Sequence, residues 1–188
     1  MKKVAILLFF TSSFSYGQDW PELGRYSENN KKYAQSSDNE DRVVFMGNSI
    51  TEGWSTILPE FFKGKSYINR GISGQTTPQM LIRFRPDVID LNPKVVIILA
   101  GINDIAENTG PSTVKMISDN IISMADLAKI NGINVIISSI LPAKGFPWNP
   151  GINPPPKISA VNKIIEQYAK ENGMIYLDYY SSMVDKNN

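Results

Sequence analysis

Neither histidine nor cysteine occurs anywhere in this chain of 188 residues. The lack of cysteine rules out disulfides and a lipid anchor carried on a cysteine. With both residue types missing, only carboxylate and carbonyl ligands are left, which excludes the usual zinc and copper sites. No loop has the ligand spacing of a calcium or magnesium site, so neither a metal nor a cofactor is expected. A surplus of charge is also missing. Setting aside Lys2 and Lys3 leaves 17 basic residues against 18 acidic ones, with no long block of either sign. That balance points away from nucleic acid and from an anionic membrane surface. Long apolar runs are absent as well. The most apolar stretch, Val4 to Phe10, is far short of the roughly 20 residues that span a bilayer. It follows two lysines and leads into small and polar residues up to Gly17, the order of a secretory signal peptide. The expectation is cleavage near Gly17, a secreted or periplasmic protein without stable membrane association, and a single domain over 18–188.

What is present alternates between apolar strands and amphipathic helices. Trp20 to Ser37 is polar with scattered aromatics and reads as an N-terminal helix. Arg42 to Met46, Tyr67 to Asn69, Val95 to Ala100, Ile133 to Ser138 and Met174 to Asp178 read as strands. The third is uniformly apolar and rich in β-branched residues, as expected when helices cover both faces. Thr77-Pro78 predicts a helix start with the Thr77 hydroxyl at the cap. Pro111-Ser112 opens a long amphipathic helix that stops at Asn131-Gly132. Six prolines lie between Leu141 and Pro156, predicting a rigid surface loop before a helix over 157–172. Strand–helix alternation of this kind predicts a three-layer α/β/α sandwich on a parallel sheet, with working groups on the loops at the C-terminal strand ends.

Three segments fall at such ends: Gly47-Asn-Ser49, Gly71-Ile-Ser-Gly74 and Gly101-Ile-Asn-Asp104. Ser49 and Glu52 have the spacing of a capping box, which closes a helix start. Ser49 is equally suited to act as a nucleophile at a helix N-terminus, where developing negative charge is favoured. Gly74 fits a turn with positive φ, or a backbone N–H open to an oxyanion. Asn103 fits a turn or cap, or a side-chain donor to an oxyanion. Asp104 reads as support for its loop. Ser49, Thr51 and Gly53 also loosely resemble the phosphate loop of flavodoxin-like proteins, although dense glycines are missing.

Taken in order, Met46-Gly-Asn-Ser-Ile50, Ser73-Gly-Gln-Thr76 and Gly101-Ile-Asn-Asp104 resemble the motif blocks of the SGNH, or GDSL-like, lipase/acylhydrolase family, with Asn48 where the family has Asp. The resemblance runs over 42–178. It implies a flavodoxin-like SGNH hydrolase fold and a serine esterase acting on small-molecule or carbohydrate esters. Ser49 would be its nucleophile, Gly74 and Asn103 (with the Ser49 N–H) would form the oxyanion hole, and Asn48 and Asp104 would give support. The family's fourth block, Asp-x-x-His, has no counterpart among these residues. Three explanations are open: a chain that stops before that block and before a last helix, an inactive relative that binds through the same cleft, or another base such as Glu52 or Lys144.

Overall fold

The computed structural model describes residues 19–34 and 41–185. The proposed signal segment lies outside them. Five strands form one parallel sheet in the order β2-β1-β3-β4-β5. They are β1 (Val43–Gly47), β2 (Tyr67–Gly71), β3 (Val95–Leu99), β4 (Asn134–Ser138) and β5 (Ile175–Leu177). The helices are α1 (Ser27–Ala34), α2 (Ser49–Ile57), α3 (Pro59–Phe62), α4 (Thr77–Asp87), α5 (Ile102–Ile105), α6 (Val114–Ile130), α7 (Pro154–Glu171) and α8 (Tyr179–Met183).

Given this order, right-handed crossovers between parallel strands decide which face each connecting helix covers. The chain moves one way from β1 to β2 through α2 and α3, then the other way through α4, α6 and α7. The latter three therefore share one face of the sheet. There Val44, Met46, Val96, Ile98 and Ile137 meet Phe84, Met80, Ile117, Ile121, Met124, Val161 and Ile165 in a continuous core. On the other face Phe45 sits at the centre of an aromatic cluster with Trp54, Phe61, Phe62 and Tyr67, with ring centroids 5.4–5.9 Å from its own. Farther along that face Val95, Ile97 and Ile136 are half-buried and Ile175 is exposed. No helix among the described residues is long and apolar enough to cross a membrane.

Several boundaries differ from the sequence-based expectation, each for a local reason. The N-terminal helix is shorter than 20–37: residues before Ser27 form turns, and those after Ala34 lie outside the described segment. The cap of α4 is Thr76, not Thr77; the Thr76 N–H donates to Gln79 Oε1 at 3.0 Å, and Thr77 is already helical. Helix α6 begins at Val114 because the Thr113 hydroxyl accepts from the Met116 N–H. Helix α7 begins three residues earlier than expected, at Pro154, since a first-turn residue needs no amide hydrogen. A short helix, α8, follows the last strand, where the sequence suggested none; Asp178 caps it by accepting from the Ser181 N–H.

Candidate active site

Strand register brings the three motif loops together. Gly47, the last residue of β1, lies opposite Gly71 of β2 and Leu99 of β3. The loops that leave these residues start at one level, with the Ser49 loop between the other two. Two glycines let α2 sit this close to the sheet. A Cβ on Gly71 would lie 2.1 Å from the Glu52 backbone nitrogen, and one on Gly47 would lie 2.0 Å from the Thr51 hydroxyl.

Ser49 is the first residue of α2 and its side chain is exposed. It is not the cap, and the capping-box reading of Ser49 and Glu52 is overturned. Asn48 caps the helix, its Oδ1 accepting from the Ile50 N–H at 3.0 Å. Glu52 instead turns away, accepting from the Ser73 N–H at 2.9 Å through one oxygen and from Arg25 at 2.8 Å through the other. Among the described residues, nothing hydrogen-bonds the Ser49 hydroxyl. Gly74 is exposed with φ 77°, in open space. Asn103 is buried and donates one amide hydrogen to Gln75 O at 2.9 Å, leaving its second for another acceptor. The arrangement sets a free hydroxyl at a helix N-terminus between two loops that carry N–H donors. Such a geometry can attack a carbonyl and hold the oxyanion that forms.

Asp104 fastens this platform. Its carboxylate accepts from the Thr77 N–H at 3.0 Å and from the Thr77 hydroxyl at 2.6 Å, tying the third loop to the start of α4. Burial outweighs these bonds and pushes its carboxyl up to about 6. Sequence reasoning missed Asn108. Its side chain donates to Gly74 O at 3.2 Å and its backbone N–H to Asn103 O at 3.1 Å, so one residue links both loops. Nothing in the sequence marks it, since it lies four residues past the third motif in an irregular turn.

The profile of the GDSL-like lipase/acylhydrolase family matches residues 45–188. The chain belongs to that family. Its fold is shared with a solved GDSL-like lipase from Bacteroides thetaiotaomicron, at TM-score 0.85 and 51% identity, covering 89% of this chain and 82% of the other. An arylesterase from Vibrio mimicus is 30% identical over 118 residues, which is 56% of this chain and 57% of that enzyme. An acetylxylan esterase from Geobacillus stearothermophilus, solved as a catalytic mutant, shares the fold alone, at TM-score 0.60 and 18% identity over 77% of this chain and 78% of that one. The chain spans about half the length of the curated relatives it matches.

As a family member the chain departs from the motif at Asn48. The Asn48 amide nitrogen is buried and has no hydrogen-bond partner, whereas the oxygen of the same side chain serves as the cap. Ser49, Thr51 and Gly53 all lie within one helix, and Thr51 is buried, so they make no loop around a phosphate. Phe146 joins the core, while Trp148 is exposed and donates to Asn108 at 3.3 Å. Neither lines the cleft that contains Ser49. Among the described residues, no group of three or more carboxylates is placed to hold a metal ion.

Proposed function

We propose that Ser49 is the nucleophile of an ester hydrolase working through an acyl-enzyme, with the Ser49 and Gly74 backbone N–H groups and the Asn103 side chain as oxyanion hole. The alignment of Gly47, Gly71 and Leu99 supports this reading, because the loops that carry those donors start on either side of a hydroxyl with no hydrogen-bond partner among the described residues. Attack of the hydroxyl on the ester carbonyl puts negative charge on the carbonyl oxygen beside the start of α2, where backbone N–H groups stabilise it. The alcohol then leaves, and water releases the acyl group from Ser49. The reading for substrate is an acetyl or short acyl ester of a carbohydrate or small alcohol, supported by the arylesterase and acetylxylan esterase relatives. Residues 1–17 would direct export, with the hydrolase domain over 18–188.

The Ser49 proton needs an acceptor. These 188 residues hold no imidazole, and both Glu52 oxygens are engaged by Arg25 and Ser73. Loss of the base costs about 10⁶ in turnover in a serine hydrolase, leaving about 10³-fold over water from the oxyanion hole and binding. The 188-residue polypeptide is therefore nearly inactive by itself. The missing imidazole also favours a second reading, a non-catalytic carbohydrate- or ester-binding relative that uses the same cleft.

Supplying imidazole in solution separates the two. With p-nitrophenyl acetate, the hydrolase reading expects an imidazole-dependent rate above the enzyme-free background that is lost in Ser49→Ala. Asn103→Ala should lower it by about 10²-fold, the usual cost of one oxyanion donor. Without imidazole, Ser49→Ala should change the rate little, because the nucleophile and its base act as one unit. An equal imidazole increment in wild type and Ser49→Ala would sink the nucleophile assignment.

A further inference from the structure

On the β2 side of Ser49 lies a cleft of about 690 Å³ between α1, α2 and β2. Its size is that of a small-molecule site, but such sites are mostly apolar, and this one is lined chiefly by polar groups. Two guanidinium groups line it, and both are already engaged. Arg25 is paired with Glu52 at 2.8 Å. Arg70 is buried: Nε and Nη2 donate to Asn30 Oδ1 at 3.1 and 2.7 Å, Nη2 also to Asn29 Oδ1 at 2.9 Å, and Nη1 to Asn69 O at 2.9 Å. The Tyr26 ring covers the Arg70 guanidinium at 4.5 Å. With every nitrogen of Arg70 bonded and Arg25 neutralised, the cleft offers an anion little.

Neutral donors and acceptors are what it does offer. Arg70 fixes Asn29 by its oxygen, and the Asn29 amide nitrogen has no partner among the described residues. The hydroxyls of Thr56 and Ser73 are exposed on the same cleft and likewise unpartnered among those residues. Tyr26 and Tyr67 add amphipathic wall that is held in place: Tyr26 by Arg70 and by its hydrogen bond to Gly71 O, Tyr67 by Phe45 and Lys65. Fixed amide and hydroxyl groups beside rigid tyrosines match a ligand with many hydroxyls and no charge.

We propose that this cleft binds the alcohol half of the ester, and that this half is a neutral sugar. Asn29 is its specificity-determining donor, and Arg70 is the positioning residue that orients Asn29. The assignment of the sugar as the alcohol half rests on the Ser49 reading; the binding itself does not use the Ser49 nucleophile.

The test is calorimetric titration of the 188-residue chain with xylotriose, cellotriose and inorganic phosphate. Binding of a trisaccharide is expected, with no competition from phosphate. Asn29→Asp keeps an oxygen facing Arg70 and removes both amide donors. It should weaken sugar binding about tenfold, the loss of one to two neutral hydrogen bonds, with the melting temperature of wild type retained or raised. Asn29→Ala should weaken binding at least as much. Failure of both sugars to bind at about 10 mM, a range that reaches even millimolar affinities, overturns the proposal. So does phosphate displacing the sugar, or a folded Asn29→Asp variant that binds as tightly as wild type. Sugar binding without any Ser49-dependent hydrolysis in the presence of imidazole would keep this site and remove the esterase reading. Ser49-dependent hydrolysis without sugar binding would do the reverse.

Discussion

Asp104 offers a stability test whose sign is fixed by its surroundings. The carboxyl is 1% exposed, and three hydrogen bonds from Thr77 do not offset the loss of water around its charge. Its value rises from 3.8 to about 6 in the folded protein. A raised carboxyl binds its proton more tightly when folded than when unfolded. Its contribution to stability is therefore fully present below about pH 4 and is lost as pH rises through about 6. At about 1.4 kcal/mol per pH unit of difference, the loss over this window is about 3 kcal/mol. The comparison has to be with Asp104→Asn, which cannot titrate at this position, so that the pH response of the rest of the chain cancels. Urea unfolding of both proteins from pH 4 to pH 7.5 gives the difference directly. Because the unfolded carboxyl is already partly ionised at pH 4, wild type should lose about 2 kcal/mol relative to Asp104→Asn across the range, which at a slope of about 2 kcal/mol/M moves the relative midpoint by about 1 M. A gap between the two proteins that stays constant with pH, or that changes in wild type's favour on raising pH, would refute the reasoning.

Two further substitutions probe the scaffold that sets the site. Asp87→Ala leaves Arg83, which is fully buried and bonded to Gln75, Gly47 O and Arg70 O, without its carboxylate at 2.8 Å. Stranding a buried charge costs about 3–5 kcal/mol, to be read as a lowered urea midpoint. Gly71→Ala places a methyl group 2.1 Å from the Glu52 backbone nitrogen, so α2 has to move off the sheet. A cost of at least about 1–3 kcal/mol is expected, together with loss of the imidazole-dependent rate as Ser49 shifts; a variant as stable as wild type would contradict the close packing.

Much of the layout could be read from the residue pattern, because β1, β3 and β4 are short apolar runs and α6 and α7 each carry an apolar stripe. The places of the three motif loops followed from that alternation. What composition could not supply was the choice of partner. Ser49-x-x-Glu52 has a capping-box pattern, but Asn48, one residue earlier, already satisfies the Ile50 N–H. Glu52 is then left to reach across 21 residues to the Ser73 N–H, a contact created by the register of Gly47 against Gly71. The same holds for Thr77, whose hydroxyl serves Asp104 once Thr76 has taken the cap. In both cases one polar residue more than the helix start could use became a tie between loops. Asn108, Arg70 and Arg83 were invisible for a related reason: their bonds reach residues 34, 40 and 36 positions away, respectively, and depend on which strands are neighbours. Local pattern thus specified where each polar side chain sits, and strand order decided whom it meets. That division explains why the motif loops were legible as positions, while the contacts that tie the Gly74 loop to the Asn103 loop emerged only from the assembled sheet.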